Sequence, residues 1–214
     1  MFGTRAYVVL FVFAVIPMTA IANDSLLNEA LTRPNLPLDT GKVFVRTTTV
    51  TSPGKQTETT TDHYRLSDRP QGSLIGYSDL LRVVGDNATL VSQTPEGAVY
   101  RFTTSTPPDI DIDAKDMHTK VDGDWSENPL NGQLLVARDE NGRPYVKQVE
   151  LKLAKPFSNV LSRVSEIEMD YSFSPDNSQQ SMLVRAFSVD VNMRALLFFK
   201  EAARVDVTLA EIAD

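Results

Sequence analysis

The 214-residue chain contains no cysteine. Disulfides and thiolate chemistry are excluded, so an exported form of this chain would draw its stability from an apolar core. Its two histidines, His63 and His118, stand far apart in sequence, without the clustered spacing that a catalytic metal centre uses. The ten glycines sit singly at turns, so no phosphate-cradling loop is present, and no Gly-x-Ser-x-Gly elbow marks a hydrolase. These absences point away from an enzyme and from any cofactor. Basic clusters are missing too. With 21 basic and 28 acidic residues the net charge is −7, which argues against nucleic acid and anionic lipid headgroups as main partners.

Long apolar runs are also scarce, and the one present lies at the start. Arg5 precedes an apolar stretch from Tyr7 to Met18, and Ala20-Ile21-Ala22 gives a small-x-small pattern before Asn23. This predicts a secretory signal over residues 1–22, with an uncleaved anchor as the alternative. The run is short against the ~20 residues of a membrane span. Residues 23–214 are expected to form one domain, carrying 20 basic and 28 acidic residues, without stable membrane insertion. Lacking disulfides, such an exported protein fits a bacterial periplasm.

What the chain has in quantity is alternation. Val149, Leu151 and Leu153 are apolar between polar neighbours, followed by Ile167, Met169, Tyr171 and Phe173. Phe187, Val189, Val191 and Met193 repeat the pattern, and Val205, Val207 and Leu209 close it. Successive strand side chains point to opposite faces, so each run predicts a half-buried strand. Four in a row predict an antiparallel meander with one apolar and one polar face. Upstream, Val43–Thr51 and Gln56–Leu66 predict a threonine-rich hairpin at an edge. Ala88–Ser92 with Ala98–Thr104, and Leu134–Arg138 with Tyr145–Leu153, predict two more. Short helices are expected at Asp24–Leu31 and Ser78–Gly85. The first would cover the sheet or fray. Nine or ten strands in one sheet must curl to bury a face, giving an open or closed barrel.

The segment Thr106–Asn128 interrupts this rhythm with Pro107-Pro108, seven acidic residues and the sole Trp125. Its length and polarity predict a functional loop, a lid or a mobile segment. Asp109, Asp111 and Asp113 open like a calcium loop, but Ala114 and Lys120 stand where Gly and Glu are needed, so no metal site is expected. The apolar sheet face then offers two readings: a core filled by its own side chains, or a cavity for an apolar guest.

The second half resembles the LolA/LolB-like superfamily of periplasmic lipoprotein carriers and sorting factors. The likeness lies in Val99-Tyr100-Arg101-Phe102, in Asn128-Pro129-Leu130-Asn131-Gly132 leading into Leu134-Leu135-Val136, and in Asp139-Glu140-Asn141-Gly142. It continues through the Tyr145–Leu153 strand and the pair Glu166–Phe173 and Met182–Met193. The resemblance implies a mainly β fold: one curved antiparallel sheet forming an unclosed half-barrel with a few short covering helices. It further implies a soluble periplasmic protein holding an apolar or lipid-like ligand non-covalently, without catalysis. The residues expected to line the cavity are Leu151, Leu153, Met169, Tyr171, Phe173, Phe187, Val189 and Val191. The alternative is an envelope interaction module with a self-filled core and the 106–128 loop as its contact surface.

Overall fold

The computed structural model describes residues 25–37, 40–65, 67, 76–108, 110–114, 117–121, 125–158, 162–178, 180–195 and 199–212. The expected signal over residues 1–22 lies outside them. Helix α1 spans Ser25–Leu31, and α2, Leu80–Val84, continues a 3-10 turn at Tyr77–Asp79. The strands are β1 (Val43–Thr51), β2 (Glu58–Arg65), β3 (Thr89–Thr94), β4 (Gly97–Thr104), β5 (Ile110–Ala114) and β6 (Met117–Val121). They continue as β7 (Leu130–Arg138), β8 (Pro144–Leu153), β9 (Phe157–Ser158), β10 (Ser162–Pro175), β11 (Met182–Ala195) and β12 (Phe199–Glu211).

All but β5 and β6 belong to one antiparallel sheet, ordered β2-β1-β12-β11-β10-β8-β7-β4-β3, with the short β9 also paired to β10. The sheet ends on β2 and β3 and does not close into a barrel, as the half-barrel expectation requires. The expected meander is β8, β10, β11 and β12, each paired to the next. The edges are polar or broken. In β2, Glu58 to His63 are exposed, and Thr49 faces Thr59 across β1 and β2 with hydroxyls 3.2 Å apart. On the other side, β3 is exposed throughout and its pairing shifts register between Leu90 and Ser92. Polar and bulged edges resist pairing with a second sheet.

Register makes the two faces continuous. Tyr100, Leu134, Val149, Tyr171, Phe187 and Val207 are cross-strand neighbours in turn, and so form one apolar rung. The next rung is Phe102, Gly132, Leu151, Met169, Val189 and Val205. Gly132 is needed there because the Phe102 ring occupies the place of a side chain. Between these rungs, on the opposite face, run Gln133, Glu150, Asp170, Ser188 and Asp206. A one-residue slip would exchange the two sets, so burial of one face fixes the register.

The apolar rungs are covered by Leu27, Ala30 and Leu31 of α1, by Tyr77, and by Leu80, Val83 and Val84 of α2, all in one buried cluster. Helix α2 ends at Gly85, whose φ of 58° is a conformation that glycine adopts at least cost. After α1 the chain runs beside the start of β11, where Leu36 N–H donates to Met182 O (2.9 Å) and Met182 N–H to Pro34 O (2.8 Å). There Leu36, Phe44, Leu183 and Leu209 form a second, smaller cluster.

The 106–128 segment departs from its expected loop. Strands β5 and β6 within it pair antiparallel as a separate two-stranded sheet, Ile110 opposite Val121 and Ala114 opposite Met117. Alternating Ile and Asp over 110–113 is itself a strand pattern, and it was overshadowed in the sequence by the weight of acidic residues. Trp125, just beyond, is partly buried against the main core.

Candidate functional site

The eight residues expected to line the apolar face do come together. Leu151 and Leu153 lie on β8, Met169, Tyr171 and Phe173 on β10, and Phe187, Val189 and Val191 on β11. All belong to the main core cluster or pack against it, with Leu153 and Val191 partly buried. Leu151 and Met169 are 0% exposed, so no void as large as a water molecule touches either. Phe173 meets Tyr77 edge to face at 5.3 Å, and Tyr171 stacks on Phe187 at 6.1 Å.

Two buried tyrosines in this cluster are treated very differently. The Tyr77 hydroxyl donates to Ala30 O (2.7 Å) and accepts from Val146 N–H (2.6 Å). It therefore ties an orphan carbonyl at the end of α1 to the backbone of β8. Burial pushes its pKa above the ordinary tyrosine value. Tyr171 is just as buried, at 3% exposure, and its hydroxyl bonds to none of the described residues. Burial alone raises its pKa. A buried hydroxyl without a partner is uncommon, and it costs the full loss of its hydration. A depression of about 170 Å³ near these strands opens on the opposite, polar face, where Gln148, Asp170, Ser172, Ser188 and Asp206 line it between the Tyr171, Phe187 and Val207 positions. That volume is below the roughly 300–1,000 Å³ of most small-molecule sites.

The cover is held down at a second point. Arg33, just after α1, donates to the Asp139 carboxylate at 2.9 Å, and Arg143 reaches the same oxygen at 3.2 Å. Asp139 also accepts from the backbone N–H groups of Asn141 and Arg143, each at 2.9 Å. Its side chain is fully buried and that of Arg33 is 8% exposed. Burial works to raise the Asp139 pKa. The N–H of Arg143, the Arg33 guanidinium and the N–H of Asn141 outweigh it and hold the carboxyl below the usual range. In the sequence 139–142 reads only as a turn, because Arg33 lies 106 residues away and no local pattern announces the pair.

On the polar face, burial followed by the Glu168 charge pushes the half-buried Asp170 carboxyl up from its ordinary value. Lys152 pairs with Glu168 at 2.6 Å and Arg204 with Asp206 at 3.0 Å. Among the described residues no three His, Asp or Glu side chains converge as metal ligands. His63 is exposed on β2. No helix among the described residues is long and apolar enough to cross a membrane. Comparison with known proteins finds no matching family model, no matching curated protein and no matching solved structure.

Proposed function

We propose that the chain is a non-enzymatic binding protein for an apolar, lipid-like molecule, held between the apolar sheet face and its thin helical cover. The observation that carries this reading is the Tyr171 hydroxyl, buried among apolar side chains beside the Phe187 ring with no partner among the described residues. A guest with an apolar body and one polar group, such as a fatty acyl carboxyl or ester, would desolvate on the aromatic face and satisfy that hydroxyl. Among the described residues the cover is one seven-residue helix, a 3-10 turn and one five-residue helix, so room for a chain can be made by lifting a small unit. The proposal extends to export through residues 1–22, a periplasmic setting and a distant place among LolA/LolB-like carriers.

The test is titration of delipidated protein with a fluorescent fatty acid. Saturable binding is expected. Tyr171→Phe should weaken it by about tenfold, the worth of one hydrogen bond to a polar head group. Equal binding by both proteins removes Tyr171 from the site, and absence of binding removes the proposal. The second reading, an interaction module with a self-filled core, is favoured by the complete burial of Leu151 and Met169. It expects no saturable binding at all, and places contact with a partner on the β5–β6 hairpin.

A further inference from the structure

The register of the sheet assembles a basic rung that the linear sequence does not display. Arg163 near the start of β10 stands directly opposite Arg194 near the end of β11, and Arg194 is in turn opposite Lys200 of β12. Three cationic positions thus occupy adjacent strands in a chain whose net charge is −7. Like charges directly opposite one another on a sheet are destabilising. Among the described residues neither arginine has an ion-pair partner, and both are exposed.

Arg163 and Arg194 line a pocket of about 450 Å³, which Ser165, Asn192, Met193, Ala202 and Pro53 complete. This lies within the usual range for a ligand site. Local backbone shapes it. Pairing between β10 and β11 shifts register from Val164 to Glu166, leaving Ser165 as the extra residue, and Ser165 Oγ donates to Asn192 O at 2.8 Å. Such bulges bend a strand and re-aim its side chains. The nearest acidic position on the same face is Glu166, opposite Asn192, and it does not line the pocket.

We propose that this pocket is a binding site for a phosphate ester. Two forked guanidinium groups offer planar N–H pairs to the oxygens of a tetrahedral phosphate, and a dianion offsets both charges where a single carboxylate would offset one. The volume exceeds what a bare phosphate fills, and Pro53 and Ala202 supply apolar surface for the substituent. The site lies apart from Tyr171 and stands independently of the acyl-binding reading.

The experiment measures binding of the full chain in two arms. One titrates glycerol phosphate by calorimetry, with glycerol as control. The other sediments the protein with vesicles containing phosphatidic acid, against vesicles of phosphatidylcholine alone. Binding in the first arm identifies a soluble ester, and binding in the second alone identifies a lipid headgroup; either supports the site. Arg163→Gln and Arg194→Gln should each weaken binding by about tenfold or more, while Arg204→Gln, on the same sheet face but paired to Asp206, leaves it unchanged. Without phosphate, both pocket variants should melt no lower than the parent, since each relieves a repulsion. Failure of both arms overturns the proposal, as does equal binding by the Arg163→Gln/Arg194→Gln double variant.

Discussion

Replacing each of two buried tyrosines by phenylalanine should move stability in opposite directions. In Tyr77→Phe the ring and its contact with Phe173 remain, but Ala30 O and Val146 N–H lose the hydroxyl that joins them at 2.7 and 2.6 Å. Two hydrogen bonds vanish and two backbone groups are left unpaired, a loss of about 2–3 kcal/mol. In Tyr171→Phe nothing is lost except a hydroxyl that has no partner among the described residues. Removing it relieves a desolvation penalty of about 1 kcal/mol. For a chain of this size each 1 kcal/mol shifts the melting temperature by about 2–4 °C. Tyr77→Phe should therefore fall by roughly 4–12 °C and Tyr171→Phe rise by roughly 2–4 °C. Thermal and urea unfolding of the ligand-free chain measure both, with an unchanged urea slope as the check that the unfolded state is unaltered. Hydrogen exchange should also show α1 opening more readily in Tyr77→Phe. If Tyr171→Phe is destabilised as much as Tyr77→Phe, its hydroxyl has a partner in the folded chain, and the argument from an unsatisfied group fails.

Asp139→Asn should cost about 3 kcal/mol, because it removes the buried carboxylate that the Arg33 and Arg143 guanidinium groups share. Its pH dependence has a definite sign. The folded pKa lies below the unfolded value of about 3.9, so the stabilisation is complete above that pH and lost as pH falls through the folded value. The gap between parent and Asp139→Asn in urea unfolding should therefore narrow below about pH 4. Gly97→Ala should destabilise by at least about 1–3 kcal/mol, since the added methyl would run into the Val136 carbonyl across the β4–β7 pair. The same change at Gly54, where the added methyl would meet no non-neighbouring atom within 4 Å, meets only the strain of its φ of 75°. Thermal melts of the two variants separate steric blockage from backbone strain.

Most of the sheet could be read along the chain because alternation is a local signal. The strands expected at Val43–Thr51, Tyr145–Leu153 and Met182–Met193 differ from those observed by at most two residues at either end. Strand β7 begins at Leu130, four residues before its expected start at Leu134, because Asn131-Gly132 reads as a turn. Only the Phe102 ring over Gly132, on another strand, explains a glycine there. The β5–β6 hairpin was hidden by its acidic composition. Side-chain partnerships were less legible still. That Met169, Tyr171 and Phe187 share a face follows from parity. That the Tyr77 hydroxyl bridges α1 and β8, or that Arg163 and Arg194 stand opposite each other, follows only from pairings across 47, 69 and 31 positions.

On the proposed reading, the apolar face under α1 and α2 admits a guest at Tyr171. Native mass spectrometry of the full chain, delipidated and then incubated with a long-chain fatty acid, tests it most directly. One bound fatty acid per chain is expected, with occupancy reduced in Tyr171→Phe. A bare protein mass at every fatty-acid concentration would contradict it and leave the apolar face as a core filled by its own side chains.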